Sequence, residues 1–237
     1  MLDHWMQNQG LIVRNSLLAG MSVLVPLPVL DDLAKNYFRK KLAVELGRKY
    51  GVSLDAKALN ALVVDPFKWS MHGCLFIVLV YPVKKIFRKI FYFMEIKRAI
   101  DETSSTYHSA YLWNYAFKHA YVPQSGCPVE RAGVIRKAVF IACKKITVKP
   151  IERAIGSTFN HFSGTLRTWS KEMKRVLSRK KENFNDATTF IEQSSPIDDI
   201  KSDLQQRLQA IPEENYRVLV THFEAALNLP LGLVNPR

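Results

Sequence analysis

The chain has 237 residues, which is long enough for one large domain or two small ones, and 48% of them are apolar. This composition excludes a disordered protein, while only ten glycines and no Asn-Gly or Asp-Gly pair disfavour an all-β fold. The 34 lysines and arginines exceed the 21 aspartates and glutamates to give a net charge of +13. We therefore expect an anionic partner: a nucleic acid, an anionic membrane surface or an acidic protein.

The positive charge is concentrated in two regions. Residues 35–98 carry 14 Lys/Arg against 4 Asp/Glu, and residues 131–181 carry 14 against 2. From residue 182 to the end the balance reverses, with 4 Lys/Arg against 9 Asp/Glu. We therefore predict a basic helical body over residues 1–185 and an acidic C-terminal helical pair over residues 186–237.

The first distinctive segment is the uncharged stretch SLLAGMSVLVPLPVL (16–30), which two aspartates follow. Its prolines and the aspartates predict a turn that leads into a helix, because acidic side chains are favoured in the first turn of a helix. Apolar residues then recur at helical spacing until Gly51, which we expect to cap that helix. A short helix is predicted to follow, with Ser53 as its N-cap.

A second apolar stretch, GCLFIVLVYPV (73–83), precedes a two-faced segment over residues 84–100. Pro82 should kink or break the helix between them. In the second segment, apolar and polar side chains fall on opposite sides of a predicted helix. The apolar side carries Ile86, Phe87, Ile90, Phe91 and Met94, and the polar side carries Lys84, Lys85, Arg88, Lys89 and Glu95.

Helical spacing continues towards the C-terminus. Residues 107–121 predict a helix, and a basic helical region covers residues 129–183 with a kink expected at Pro150. Two final helices, near 196–210 and 212–228, each start at a proline with acidic residues in the first turn. The predicted fold is therefore all-α: a multi-helix bundle of about seven to nine helices with long basic amphipathic helices.

No catalytic signature is present, because the P-loop, dinucleotide-binding, zincin and nucleophile-elbow motifs are all absent. His108 and His119 share a predicted helix face without a clear third metal ligand, so we interpret them as polar tips of a half-buried face. Asp31 and Asp32 could form an acid–base pair, but helix capping is the favoured interpretation. We predict that the protein is not an enzyme and needs no cofactor or metal.

The cysteines and the N-terminus predict an intracellular protein. The three cysteines form no CxxC pair, which favours a reducing compartment over a disulfide framework. The first ten residues contain an acidic residue and no basic one, so they lack the charged region of a secretory signal. We expect the cytoplasm.

Both apolar stretches are short for transmembrane helices. Residues 16–30 would span roughly 22 Å as a helix, against a hydrocarbon core of roughly 30 Å. Such a stretch is a buried core helix or an interfacial or re-entrant element, and the basic segment after residues 73–83 favours the membrane surface. Whether the two stretches enter a membrane or lie in a soluble core stays open. The predicted membrane-contact residues are Leu24, Val25, Leu27, Phe76, Ile77, Lys84, Lys85, Phe87, Arg88, Lys89 and Phe91.

Nucleic acid is the alternative partner for the positive charge. The basic region 131–181 could contact phosphates, with Trp169 available for base stacking. No zinc-finger spacing, RNP-like motif or KH-like loop accompanies it. Nucleic-acid binding is therefore the less favoured hypothesis.

Residues 25–55, VPLPVLDDLAKNYFRKKLAVELGRKYGVSLD, resemble the bacterial EcsC-type and YcjF-type membrane-associated helical proteins. Those families usually have a glycine at the position of Val29, and their glycine-rich hydrophobic hairpins are replaced here by basic aromatic sequence. The resemblance implies an all-helical protein at the inner face of a membrane, without a defined catalytic activity, and it carries over no site residues. The residues that carry it are Pro26, Pro28, Asp31 or Asp32, and Tyr50-Gly51-Val52.

These features together predict a non-enzymatic helical protein that binds anionic membrane lipids from the cytoplasmic side, as an adaptor or scaffold. The acidic C-terminal helices are expected either to fold back on the basic body or to recruit a protein partner.

Overall fold

The computed structural model describes residues 2–25, 30–64, 88–145, 149–179, 184–194 and 196–228. These residues form ten helices and no strand, which confirms the predicted all-α multi-helix bundle with a slightly larger number of helices than expected. The helices are α1 (Leu2–Ser22), α2 (Leu30–Lys49), α3 (Ala56–Val63), α4 (Arg88–Lys118), α5 (Val129–Lys145), α6 (Lys149–His161), α7 (Ser163–Arg179), α8 (Phe184–Glu192), α9 (Ile197–Gln209) and α10 (Glu213–Leu227).

The core is organised around α1, which lies antiparallel to α4 and also contacts α2 and α9. Gly20 permits the close approach of α1 and α4, because a Cβ atom at this position would collide with Thr103 Oγ1 and lie 2.7 Å from the Ala99 carbonyl oxygen. Near the other end of the pair, Asn8 Nδ2 donates to Asn114 Oδ1 at 2.7 Å. Helix α1 is consequently buried along most of its length.

Helix α2 runs in the same direction as α4 and is joined to it by polar contacts. Arg39 Nη2 lies 2.7 Å from Glu102 Oε1, and its Nε atom donates to Thr106 Oγ1 at 2.9 Å. Directly after the end of α2, the Tyr50 hydroxyl donates to Asn114 Oδ1 at 3.0 Å. The three helices α1, α2 and α4 therefore share a buried polar seam as well as an apolar core.

The turn between α2 and α3 follows the sequence prediction at one end and departs from it at the other. Gly51 has a φ of +70°, and the Val52 N–H donates to the Gly47 carbonyl oxygen at 2.9 Å, so glycine caps α2 as expected. The predicted N-cap Ser53 is wrong. Asp55 caps α3 instead, with Oδ1 accepting from the backbone N–H three residues on at 2.7 Å.

The basic region predicted over residues 129–183 is divided among α5, α6 and α7. The kink expected at Pro150 is wrong, because Pro150 is the second residue of α6 and begins a new helix. Proline is tolerated there since the first backbone N–H groups of a helix have no partner within it. The two final helices start as predicted, directly after Pro196 and Pro212.

The acidic helices α9 and α10 fold back onto the basic body. Helix α9 packs against α1 and α6, and α10 packs mainly against α5. Gln209 Nε2 donates to Gln9 Oε1 at 2.9 Å, which joins the first and ninth helices directly. The buried side chains of these two helices include Ile200, Leu204, Leu208, Tyr216, Leu219 and Phe223.

In the part of the chain described here, no helix combines the length and the apolar character needed to cross a bilayer. Residues 16–25 of the first apolar stretch complete α1 and the turn after it, and all of them are buried. That part therefore lies in the bundle core. Residues 26–29 and the second apolar stretch, 73–83, lie outside the described residues.

Candidate functional site

One end of the bundle, which we call the basic end, brings together the C-terminal end of α1, the N-terminal halves of α2 and α4, and helix α7. The antiparallel pairing of α1 with α4 places Val25 near the start of α4. Ser170 of α7 donates to the Leu24 carbonyl oxygen at 2.7 Å, and Tyr92 of α4 donates to the Ser163 carbonyl oxygen at 2.6 Å. These two bonds hold α7 against the ends of α1 and α4.

The basic end carries much of the exposed apolar surface. Eight large apolar side chains are exposed among the described residues, and four of them belong to this end. Phe93 is 68% exposed and Met94 is 53% exposed, more than any of the others, while Leu33 and Tyr37 come from the first turns of α2. Because the removal of apolar surface from water lowers the free energy, these side chains favour contact with an apolar partner.

Cations flank these apolar side chains. Residues 88–98 and 163–175 together contain eight Lys/Arg against two glutamates. A surface on which exposed apolar and cationic side chains lie close together suits a partner that is anionic outside and apolar just beneath. The exposed cations of the basic end are Lys97, Arg98, Arg167, Lys171, Lys174 and Arg175.

Tyr92 and Arg167 form the joint between α4 and α7. The Arg167 guanidinium carbon lies 5.6 Å from the centroid of the Tyr92 ring, within the range of a cation–π contact. Burial raises the pKa of the Tyr92 hydroxyl, and the nearby Arg167 charge partly opposes that shift. The hydroxyl therefore stays protonated and keeps donating to the Ser163 carbonyl oxygen.

Helix α7 has one apolar and one basic side. Leu166, Trp169 and Met173 recur at helical spacing and are buried in the core. The opposite side exposes cations and Thr168, whose Oγ1 donates to the Gly164 carbonyl oxygen within the helix. The helix is thus amphipathic, with its apolar side turned inwards in this structure.

The structure places the predicted membrane-contact residues in three groups. Leu24 and Val25 are 2% and 4% exposed, so both are core residues in this conformation and are not available to an external surface. Arg88, Lys89 and Phe91 lie in the first turn of α4, where the structure describes the backbone. The others lie outside the described residues: Leu27, Phe76, Ile77, Lys84, Lys85 and Phe87.

Sequence reasoning missed Phe93 and the buried apolar side of α7. The two faces predicted for residues 84–100 leave out Phe93, although it stands in the YFM run, which two residues separate from the basic Lys97 and Arg98. For α7, the spacing of Leu166, Trp169 and Met173 between cations was a usable signal of an amphipathic helix.

The histidines offer no metal site among the described residues, which contain no group of three or more potential metal ligands. His108 is buried, which lowers its pKa to about 4, and its Nδ1 lies 3.3 Å from Ser104 Oγ. His119 is exposed, and its ring centroid lies 4.2 Å from that of Tyr115. Asp31 and Asp32 belong to the first turn of α2, where the helix macrodipole favours acidic side chains.

Asp203 is the most strongly bonded carboxylate described. It accepts from Thr158 Oγ1 at 2.6 Å and from Arg207 Nε at 2.7 Å, and His161 Nδ1 lies 3.4 Å away. The bonds from Arg207, followed by those from Thr158, lower its pKa to about 2. A carboxylate held this way joins α9 to α6 and is a poor general base.

Comparisons with protein-family models, with curated proteins and with solved structures found no match to this chain.

Proposed function

We propose that this chain is a non-enzymatic, membrane-associated protein that binds an anionic membrane surface from the cytoplasmic side and acts there as an adaptor or scaffold. The observation that carries the proposal is the basic end, where exposed apolar side chains and exposed cations occupy the same end of the bundle. The resemblance of residues 25–55 to EcsC-type and YcjF-type proteins supports the same class of function.

Two contributions would add when the basic end meets an anionic membrane: the attraction of its cations and the burial of its apolar side chains. Cations near an anionic leaflet contribute about 1 kcal/mol each, so the six exposed cations of the basic end supply a substantial, salt-dependent attraction. Phe93 and Met94 project from the same end and would enter the boundary between headgroups and acyl chains, where burial of their apolar area adds to the attraction.

Exposed apolar side chains alone would support no such proposal, because scattered ones are normal on soluble proteins. What distinguishes the basic end is that the two most exposed apolar side chains stand within five residues of Lys97 and Arg98. The Tyr92–Ser163 and Ser170–Leu24 hydrogen bonds hold α7, and with it the cations of that helix, at the same end.

Nucleic acid stays the second candidate partner, because the exposed cations of α7 would also suit phosphates. Stacking on Trp169 is less well supported, since that side chain is 3% exposed and packs in the core. The basic end also presents its apolar side chains without the base-reading modules of sequence-specific nucleic-acid binders.

Flotation with liposomes tests the proposal. We expect the protein to float with vesicles that contain phosphatidylglycerol and to stay in the bottom fraction with pure phosphatidylcholine, and we expect salt to weaken the binding. Absence of flotation with the acidic vesicles at low salt would overturn the membrane proposal. A salt-sensitive gel shift with nucleic acid in the same buffer would then favour the alternative.

A matched pair of charge variants locates the surface. K171E/K174E reverses two exposed cations of α7, and K137E/R153E makes the same change in net charge with exposed cations of α5 and α6. We expect the first variant to lose most of its binding to acidic vesicles and the second to keep most of it. Equal losses would assign the binding to net charge and not to the basic end.

A further inference from the structure

Helix α7 contacts the bundle along one side. Its apolar side buries Leu166, Trp169 and Met173, and its polar attachments include the Ser170–Leu24 hydrogen bond at 2.7 Å. The Tyr92–Ser163 hydrogen bond at 2.6 Å ties down its first residue. These contacts lie along one side of the helix, and the other side faces solvent.

The buried side of α7 contains a polar group without a partner. The Trp169 side chain is 3% exposed, and its indole N–H has no hydrogen-bond partner among the described residues. A buried donor that gives up its water without gaining a partner is unfavourable in the folded state. Tryptophan has the opposite preference at the boundary of a membrane, where its ring is buried while the N–H reaches polar headgroups.

The basic side of α7 meets the other requirement of a helix that lies in a membrane surface. Such helices carry Lys and Arg on the polar side and Trp, Leu or similar residues on the apolar side. In α7 the cations Arg167, Lys171, Lys174 and Arg175 oppose an apolar side centred on Trp169, with Glu172 as the acidic residue between them.

We infer that α7 is the element that enters the lipid surface. It leaves its contacts with the bundle and lies in the interface of an anionic bilayer, with Trp169 at the headgroup boundary. This inference rests on the proposed function and goes beyond it, because it names the inserted helix and requires a change of conformation. In the bound state, the cations of α7 contact lipid phosphates, and the Trp169 N–H gains a partner that the described core residues do not supply.

Quenching by brominated lipids tests where Trp169 goes. The chain has four tryptophans, and Trp113 is a matched control: it is also 3% exposed, and its indole N–H also has no partner among the described residues, but it lies in the buried C-terminal part of α4. With vesicles of brominated phosphatidylcholine and phosphatidylglycerol, we expect W113F to be quenched as strongly as the wild type and W169F to be quenched less. Equal quenching of W169F and W113F would overturn the inference.

A second pair of variants tests the exchange itself. S170A removes the hydrogen bond to the Leu24 carbonyl oxygen and loosens α7, so we expect its affinity for acidic vesicles to rise on the order of fivefold. T168A removes a hydroxyl whose bond stays within α7 and should leave the affinity unchanged. A lower or unchanged affinity of S170A, with an unaltered circular dichroism spectrum, would contradict the exchange.

The two proposals fail in different ways. If the wild type does not float with acidic vesicles, the proposed function fails and the inference falls with it. If the wild type floats, but W169F is quenched like W113F and S170A binds like T168A, the membrane function stands and the insertion of α7 is wrong.

Discussion

Helix α4 spans two environments within a single run of 31 residues. The helix packs against α1, α2, α5, α6 and α10, and its C-terminal part, from Ala99 onwards, buries polar groups such as Asn114 together with large apolar side chains such as Trp113. Its N-terminal part projects Phe93 and Met94 into solvent. Large apolar side chains therefore lie in the core in one part of the helix and in contact with water in the other.

This difference separates stability from binding along one helix. The buried part is held by hydrogen bonds and close packing to neighbouring helices, so changes there should act on the free energy of unfolding. The exposed part makes few such contacts, so changes there should act on the partner. Four predictions test this division, from the largest expected effect on stability to the smallest.

The first concerns the contact between Arg39 and Glu102, at 2.7 Å in the buried part. R39M leaves the Glu102 carboxylate poorly compensated, and we expect it to lower the free energy of unfolding by about 3 kcal/mol. Urea denaturation measures this change. R48M alters an exposed arginine of the same helix and should change the free energy by less than about 0.5 kcal/mol. Similar losses in both variants would contradict the prediction.

The second concerns the crossing of α1 and α4. G20A places a Cβ atom against Thr103 Oγ1 and 2.7 Å from the Ala99 carbonyl oxygen, so we expect a loss of about 2 kcal/mol. G133A is the control, since a Cβ atom at this helical position of α5 has open space around it and should stabilise the protein slightly. Thermal denaturation should show a lower melting temperature for G20A and a slightly higher one for G133A. An unchanged melting temperature of G20A would mean that α1 and α4 can move apart without cost.

The third uses pH. Burial lowers the pKa of His108 to about 4 from an ordinary value of 6.5, so the unfolded chain binds a proton between these values that the folded chain excludes. The contribution of His108 to stability is therefore complete above about pH 6.5 and declines as the pH falls towards 4. We expect H108Q to flatten the pH dependence of urea denaturation in this window. An unchanged slope would show that His108 is protonated in the folded protein.

The fourth concerns the exposed part of α4. F93S removes a side chain that is 68% exposed, so the free energy of unfolding should change by less than about 0.5 kcal/mol. Flotation with acidic vesicles should nevertheless fall, because the apolar contact with the lipid boundary is lost. V218S, on the exposed side of α10, is the control and should alter neither quantity. Strong destabilisation by F93S would place Phe93 with the buried part.

Much of the fold could be predicted from the sequence, because helix starts and ends depend on local chemistry. Gly51, Pro196 and Pro212 mark helix boundaries where expected. The same local reasoning failed where two residues could serve one purpose: Asp55 rather than Ser53 caps α3, since its carboxylate reaches the N–H three residues on.

The candidate site was harder to predict, because burial depends on tertiary contacts between distant segments. Leu24 and Val25 have the character expected of membrane-contact residues, yet α7, about 145 residues further along, covers that end of α1. Trp169, which the less favoured nucleic-acid hypothesis makes available for base stacking, is 3% exposed and is buried as well. No local pattern distinguishes an apolar residue that faces a lipid from one that faces a helix supplied much later in the chain.

The bond between Gln209 and Gln9 has a consequence for how the protein is made. Helix α1 leaves the ribosome well before α9, which covers one of its sides and follows about 175 residues later. At a synthesis rate of about 5–20 residues per second, the nascent chain holds an incompletely covered α1 for roughly 10–35 seconds. During that interval, the buried leucines of α1 are available to chaperones, to other nascent chains or to a nearby membrane, because α1 is synthesised before the helix that covers it.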